Sequence, residues 1–169
     1  PDAAWRRLGE SLQQVGPEWL LITAGEAPAP SLALACPRRL LVLPAEKQRL
    51  PEAYAMLKAA HQFQPDGGWR VLVMNARSDE QATQLMAALV DTASRFLQIR
   101  LDYAGAVPRD DKIQTAARSL RPLLEMSPDA PAACAFRGIV EAMPSWAWGG
   151  LAMELDMFWQ RLGLFGRMS

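Results

Sequence analysis

The sequence predicts an α/β domain with a mostly parallel sheet and helices on both faces. Short apolar runs follow one another at residues 19–23, 40–43, 69–75 and 101–108, and segments with helical periodicity separate them. Regular alternation of strand and helix indicates parallel strands that are joined by crossover helices. Runs that are rich in Val, Leu and Ile are typical of strands buried on both faces.

Helical periodicity is present between and around these runs, at residues 5–15, 31–36, 50–63, 80–97, 111–118 and 130–143. Ser78 and Gln81 have the spacing of a capping box, which predicts that a long helix begins there. The elements give one α/β domain over residues 1–143. Residues 144–169 are predicted to contain a joint and a C-terminal helix.

The composition and the charge of the chain argue against several classes of function. The chain has 169 residues, 18 basic and 18 acidic, so its formal net charge is zero. A neutral chain gives no electrostatic reason to expect nucleic acid as a partner. The two cysteines have no metal-site spacing, and no apolar run approaches the ~18 residues of a membrane span. We expect a cytoplasmic protein. The chain begins at Pro1 rather than Met, which suggests a fragment of a longer chain; the alternative of a stand-alone protein without a phosphate loop is left open.

Residues that could perform chemistry are isolated from one another. His61 is the only histidine, and no cysteine or acidic cluster accompanies it at metal-ligand spacing. Asp110 and Asp111 stand where acidic residues favour the start of a helix. No serine lies in a G-x-S-x-G motif. The sequence therefore predicts no catalytic residue and no metal site.

Several short blocks of sequence resemble those of one protein family and occur in the same order as in that family. They are EAYAMLK at 52–58, VLVMN at 71–75, RFL at 95–97, LDYAGAVP at 101–108, RPL at 121–123 and SPDAPAA at 127–133. Over residues 19–143 the chain resembles the second half of the MinD/ParA-type P-loop ATPases, and within them the FlhG/FleN-like regulators of flagellar number. The resemblance implies a partial or degenerate P-loop NTPase fold.

The resemblance also implies a site. In an open parallel sheet, ligands bind at the carboxyl ends of the strands. Asn75 at the end of the third apolar run would contact an adenine base, and Pro108, Arg109 and Asp110 would border it. An amide side chain both donates and accepts, as a nucleobase requires. The alternative is that Asn75 only terminates its strand, because Asn is favoured in turns.

Two departures from the family predict a loss of hydrolysis. The sequence contains no G-x-x-x-x-G-K-[ST] motif and no variant with an earlier Lys. Thr23 occupies the position of a family Asp that helps to organise Mg²⁺, and a hydroxyl lacks the negative charge of a carboxylate. We therefore expect no cofactor in this chain. ATP and Mg²⁺ would bind only if a missing N-terminal half supplied a phosphate loop.

The C-terminal segment presents one broad apolar face. Its large residues recur at helical spacing: Leu151, Leu155, Phe158, Trp159 and Leu162. The face could pack on its own domain, bind a partner or a second copy, or lie on the inner membrane. Its polar side carries little basic charge, which disfavours lipid.

These observations predict that the protein is a non-catalytic regulator. It would act by protein contacts, in control of flagellar number or placement, with an FlhF-type GTPase or a flagellar regulator as partner by resemblance. A homodimer is left open. The alternative is the C-terminal part of a genuine MinD/ParA-type ATPase that serves flagellar, partition or secretion-system positioning.

Overall fold

The structure, a computed structural model, describes residues 38–63, 65 and 67–147, together with residues 7, 10, 11, 14, 15, 21–23 and 36. The sheet within this part has three parallel strands in the order β1-β2-β3. They are β1 (Arg38–Pro44), β2 (Gly68–Ala76) and β3 (Leu101–Pro108). The parallel sheet predicted from the apolar runs is confirmed for these strands.

Five helices of the described part surround the sheet. They are α1 (Leu50–Phe63), α2 (Asp79–Leu97), α3 (Asp111–Arg118), α4 (Leu123–Met126) and α5 (Pro131–Ala142). Short 3₁₀ turns occupy Lys47–Arg49 and Met143–Ser145. The predicted bounds of α1, β3 and α3 agree with the structure. The single turn α4 was not predicted, because four residues are too few to show a helical period.

The two faces of the sheet are covered by different helices. Leu41 and Leu43 of β1 and Val71 and Val73 of β2 belong to one core, with the buried faces of α1 and α2. Leu72 of β2 lies on the opposite face. It packs there with Val107 of β3 and with the inner residues of α5, among them Ala132, Phe136 and Ile139. Helices therefore cover both faces, as the sequence predicts.

A glycine allows α5 to approach the sheet closely. Gly105 in β3 has a φ of 134°, which side-chain-bearing residues rarely adopt. A Cβ atom there would lie 3.2 Å from Cγ1 of Ile139. The glycine of the LDYAGAVP block thus has a packing role. It lets α5 lie directly on β3.

The first predicted strand is not present among the described residues. Residues 21–23 have no regular secondary structure, and the side chain of Leu21 is 78% exposed. A short apolar run does not by itself form a strand, because a strand also needs a neighbour to hydrogen-bond with. Residues 7, 10, 11, 14 and 15 are helical, as predicted for residues 5–15. The rest of that helix, most of the predicted helix 31–36 and the C-terminal helix lie outside the described residues.

Candidate functional site at the carboxyl ends of the strands

The carboxyl ends of β2 and β3 are tied together by main-chain hydrogen bonds. Ala76 pairs with Pro108, and the amide of Arg109 donates to the carbonyl of Ala76 at 2.9 Å. The end of β1 joins them, since the amide of Ala45 donates to the carbonyl of Met74 at 2.8 Å. The structure therefore brings three of the predicted strand ends to one edge of the sheet.

Gln81 holds two of these strand ends in place. Its amide nitrogen Nε2 donates to the carbonyl of Ala45 at 2.9 Å, and its Oε1 accepts from the amide of Arg77 at 2.8 Å. Its main-chain amide donates to Oγ of Ser78 at 3.3 Å, which confirms the predicted helix cap. A hydrogen bond from the Ser78 hydroxyl also lowers the pKa of Glu80. The Ser78–Gln81 spacing predicted the cap. The bridge to Ala45 joins residues 36 positions apart and had no local signal.

Asn75 has a backbone conformation that explains its residue type. Its φ is 61°, in the left-handed region that Asn tolerates better than most residues. The register of β2 against β3 is irregular between Met74 and Ala76, so the strand bends there. The side chain is exposed. These features agree with Asn75 as a strand-end residue, and they leave the predicted adenine contact an expectation.

Asp110 is a shared helix cap. Its Oδ1 accepts from the amide of Lys112 at 2.9 Å, in the first turn of α3. Its Oδ2 accepts from the amide of Ala132 at 3.2 Å, in the first turn of α5. Both carboxylate oxygens are therefore engaged with main-chain donors. The sequence suggested a capping charge at Asp110–Asp111, but it gave no sign that one carboxylate serves two helices.

A groove at this edge is lined by charged side chains of both signs. Its lining includes Arg77, Arg109 and Lys112, together with Asp79, Asp110 and Asp111. Three positive and three negative charges sum to zero. Such a groove exerts no net attraction on a triphosphate. Asn75, Pro108, Arg109 and Asp110 stand where the resemblance places the base, and the expectation that this chain binds no nucleotide stays a prediction.

Other residues with reactive side chains remain dispersed. Among the described residues, no three His, Cys, Asp or Glu side chains are grouped to hold a metal ion. His61 is half-buried, and its Nδ1 has no hydrogen-bond partner within that same part of the chain. Cys134 is exposed, whereas burial raises the pKa of Cys36 against the opposing charge of Arg39. Within the described ranges, no helix is long and apolar enough to cross a membrane.

A curated protein resembles this chain in sequence. Over 107 residues, 63% of this chain, the sequence is 31% identical to the Antiactivator FleN of Pseudomonas aeruginosa. This chain is similar to FleN. The resemblance to the FlhG/FleN branch of the MinD/ParA proteins is thereby confirmed. The match spans 38% of the length of FleN, so it concerns less than half of that protein. No protein-family model matches the chain.

Proposed function

We propose that the chain is a FlhG/FleN-like regulatory protein that controls the number or placement of flagella through protein contacts. The observation that carries this proposal is the identity of 31% over 107 residues with a protein named as an antiactivator. An antiactivator opposes an activator, so its function requires a protein contact. We expect the partner to be a flagellar transcription activator or an FlhF-type GTPase.

The neutral groove supports a mechanism that does not depend on hydrolysis. The sequence has no phosphate-loop motif, and the resemblance places Thr23 at the position of the family Asp. Main-chain N–H groups of such a loop point at the phosphates and form the anion-binding site. The balanced charges of the groove add nothing in their place. We therefore propose that this chain binds its partner without a bound nucleotide.

The strand-end groove is the surface where we expect the partner to bind. Its exposed charged side chains include the basic residues Arg109 and Lys112 and the acidic residues Asp79 and Asp111. Mixed charges at the rim of an interface favour one orientation of a partner and disfavour wrong partners. The groove also lies at the carboxyl ends of parallel strands, where α/β proteins generally bind their ligands.

The test is a binding measurement with the full chain. The chain is immobilised, and the flagellar transcription activator and the FlhF-type GTPase of the bacterium that encodes it are passed over separately, with and without ATP and Mg²⁺. We expect one of them to bind equally well in both conditions. The double variant Arg109→Glu, Lys112→Glu should weaken binding by about tenfold or more, because two charges of the contact are reversed. Arg95→Glu on α2 is the matched control and should change affinity less than about twofold.

Three outcomes separate the parts of the proposal. No binding of either protein contradicts the regulatory function itself. Binding that requires ATP contradicts the nucleotide-independent mechanism and favours the alternative, a piece of a genuine ATPase. An upstream GKGGxGKT sequence in the gene would support that alternative independently. Binding that ignores the groove variants contradicts only the proposed contact surface.

A further inference from the structure

Helix α3 ends in a hydrogen-bonded turn at Leu120. The amide of Leu120 donates to the carbonyl of Ala117 at 3.1 Å, and the amide of Arg121 donates to the carbonyl of Ala116 at 3.1 Å. These two bonds form a Schellman motif, in which the residue after the C-cap adopts a left-handed conformation. The C-cap is Ser119, and Leu120 follows it with a φ of 51°. The end of α3 therefore requires a left-handed residue at position 120.

Leucine is an unfavourable residue for this position. Glycine is the usual residue there, because a Cβ atom in the left-handed conformation lies too close to the following carbonyl oxygen. Both hydrogen bonds of the motif come from the main chain, so glycine would form them equally well. The other described residues with a side chain and a positive φ, Asn75 and Gln98, are polar. The motif thus gives no reason for a large apolar side chain at Leu120.

Burial gives no reason for the leucine either. The side chain of Leu120 is 93% exposed, more than any other large apolar side chain in the described part of the chain. It therefore buries no apolar surface that could offset the backbone strain. A singly exposed leucine is ordinary, but a leucine that is both strained and almost fully exposed is not. Such a residue indicates a contact outside the chain.

The surface around Leu120 is basic and apolar. The segment from Arg118 to Leu124 carries two positive charges, at Arg118 and Arg121, and no negative charge. Both arginines are exposed, and the ion pairs within the described part of the chain involve other arginines. Leu124 in α4 is also exposed. We call Arg118, Leu120, Arg121 and Leu124 the Leu120 surface.

The Leu120 surface lies at the opposite end of α3 from the strand-end groove. Asp111 and Lys112 line the groove at the start of this helix, and α3 is about 12 Å long. A standard protein interface buries about 800 Å² on each partner, which corresponds to a patch about 30 Å across. One partner that binds at the groove is therefore large enough to contact the Leu120 surface as well.

We propose that Leu120 is a principal contact residue for the protein partner and inserts into an apolar pocket that is bordered by acidic side chains. The inference rests on the proposed function and adds the chemistry of the partner's surface. The pocket removes the leucine from water, and carboxylates at its rim pair with Arg118 and Arg121. Arginine is enriched among the residues that dominate binding energy. An anionic membrane would attract the same charges, but two exposed leucines are much less than the apolar face of a membrane-surface helix.

The first measurement separates a contact role from a structural one. Leu120→Gly should raise the melting temperature of the full chain by about 1–3 °C, because glycine adopts a positive φ without strain. Gln98→Gly is the matched control. It removes the same strain at an exposed left-handed position at the end of α2 and should give a similar rise. A lower melting temperature in Leu120→Gly would mean that the side chain stabilises the fold, and the proposal would be wrong.

Binding is then measured with the same variants. The full chain is immobilised, and the flagellar transcription activator and the FlhF-type GTPase are passed over it separately. Leu120→Gly should weaken binding by at least about tenfold, because the side chain that fills the pocket is removed. Gln98→Gly should change the affinity less than about twofold. Leu120→Met keeps an apolar side chain of similar size and should retain most of the affinity.

Charge reversal tests the acidic border of the pocket. Arg118→Glu and Arg121→Glu should each weaken binding by about fivefold or more, because a like charge then faces the carboxylates. Lys58→Glu, at an exposed position of α1, is the control and should change the affinity less than about twofold. If neither arginine variant weakens binding, the pocket has no acidic border and the proposal is overturned.

The remaining outcomes distinguish this inference from the function on which it rests. Partner binding that is unchanged in Leu120→Gly overturns the inference and leaves the proposed function in place. No binding of either protein by the original chain contradicts both. Sedimentation with vesicles of phosphatidylethanolamine and phosphatidylglycerol in equal amounts, lost in Leu120→Gly, would mean that Leu120 contacts lipid and would also overturn the proposal.

Discussion

Asp110 and Ala132, which are 22 positions apart, are joined by a hydrogen bond of 3.2 Å from the amide of Ala132 to Oδ2 of the carboxylate. The other carboxylate oxygen accepts from the amide of Lys112 at 2.9 Å. One side chain therefore stabilises the starts of α3 and α5 together. It also places both helices at the carboxyl edge of the sheet, where the candidate site lies.

Removal of this shared cap should destabilise the domain. We expect Asp110→Ala to lower the free energy of unfolding by about 1–3 kcal/mol, because two main-chain donors lose their acceptor. Asp111→Ala, one position later and exposed, is the control and should cost less than about 1 kcal/mol. Urea unfolding followed by circular dichroism measures both values. Equal losses for the two variants would contradict the role of Asp110 as a cap of two helices.

Arg70 should be important for stability although it is a charged residue. Its side chain is only 9% exposed, and its guanidinium donates to the carbonyls of Ala147 and Tyr103. We expect Arg70→Met to cost about 1–3 kcal/mol, since two hydrogen bonds from a charged, buried donor are lost. Arg95→Met removes an exposed ion pair with Asp91 and should cost less than about 1 kcal/mol. Thermal melts of both variants make the comparison. An unchanged melting temperature in Arg70→Met would show that these hydrogen bonds do not stabilise the segment after α5.

The purified chain should hydrolyse neither ATP nor GTP. The expectation rests on the absence of a phosphate-loop motif from the sequence and on Thr23, which the resemblance places at the position of a family Asp. Release of inorganic phosphate is measured against a mock preparation from cells that lack the gene. Turnover above that background, abolished when Mg²⁺ is chelated, would contradict the expectation.

Binding of ATP should be no tighter than about millimolar, because an adenine contact alone supplies only a small part of the usual affinity. Calorimetry with the full chain measures it. Asn75→Ala tests the predicted base contact, and Arg77→Ala on the same groove is a control that changes the charge and leaves Asn75 in place. Micromolar affinity that is lost only in Asn75→Ala would overturn this prediction and favour a functional nucleotide site.

The two cysteines should differ in reactivity. Burial raises the pKa of the Cys36 thiol above its ordinary value of 9.0, and the positive charge of Arg39 opposes that shift only in part. The thiolate is the reactive form, so in Cys134→Ser the alkylation rate of Cys36 should still be rising above pH 9. In Cys36→Ser, the exposed Cys134 should react faster at pH 8. A Cys36 rate that levels off below pH 9 would contradict the burial effect.

Local patterns in the sequence were enough to locate the three strands and the helices α1, α2, α3 and α5 of the described part. Periodicity located α1 and α3, the Val-rich run located β2, and the LDYAGAVP block located β3, because each of these signals lies within one short segment. The Ser78–Gln81 spacing likewise predicted the start of α2. A parallel sheet with helices on both faces follows from the alternation of these elements along the chain.

Only the tertiary structure shows which residues that are distant in sequence are in contact. Three such contacts join segments between 22 and 77 positions apart: the hydrogen bonds from Gln81 to Ala45, from Ala132 to Asp110 and from Arg70 to Ala147. The apolar run at 19–23 predicted a strand, but hydrogen bonding in a sheet depends on a neighbour that the run itself does not contain. The balance of charges in the groove likewise depends on which side chains meet at one edge. Residue type and spacing determine the elements of this protein, whereas packing determines which of its polar groups are free to bind.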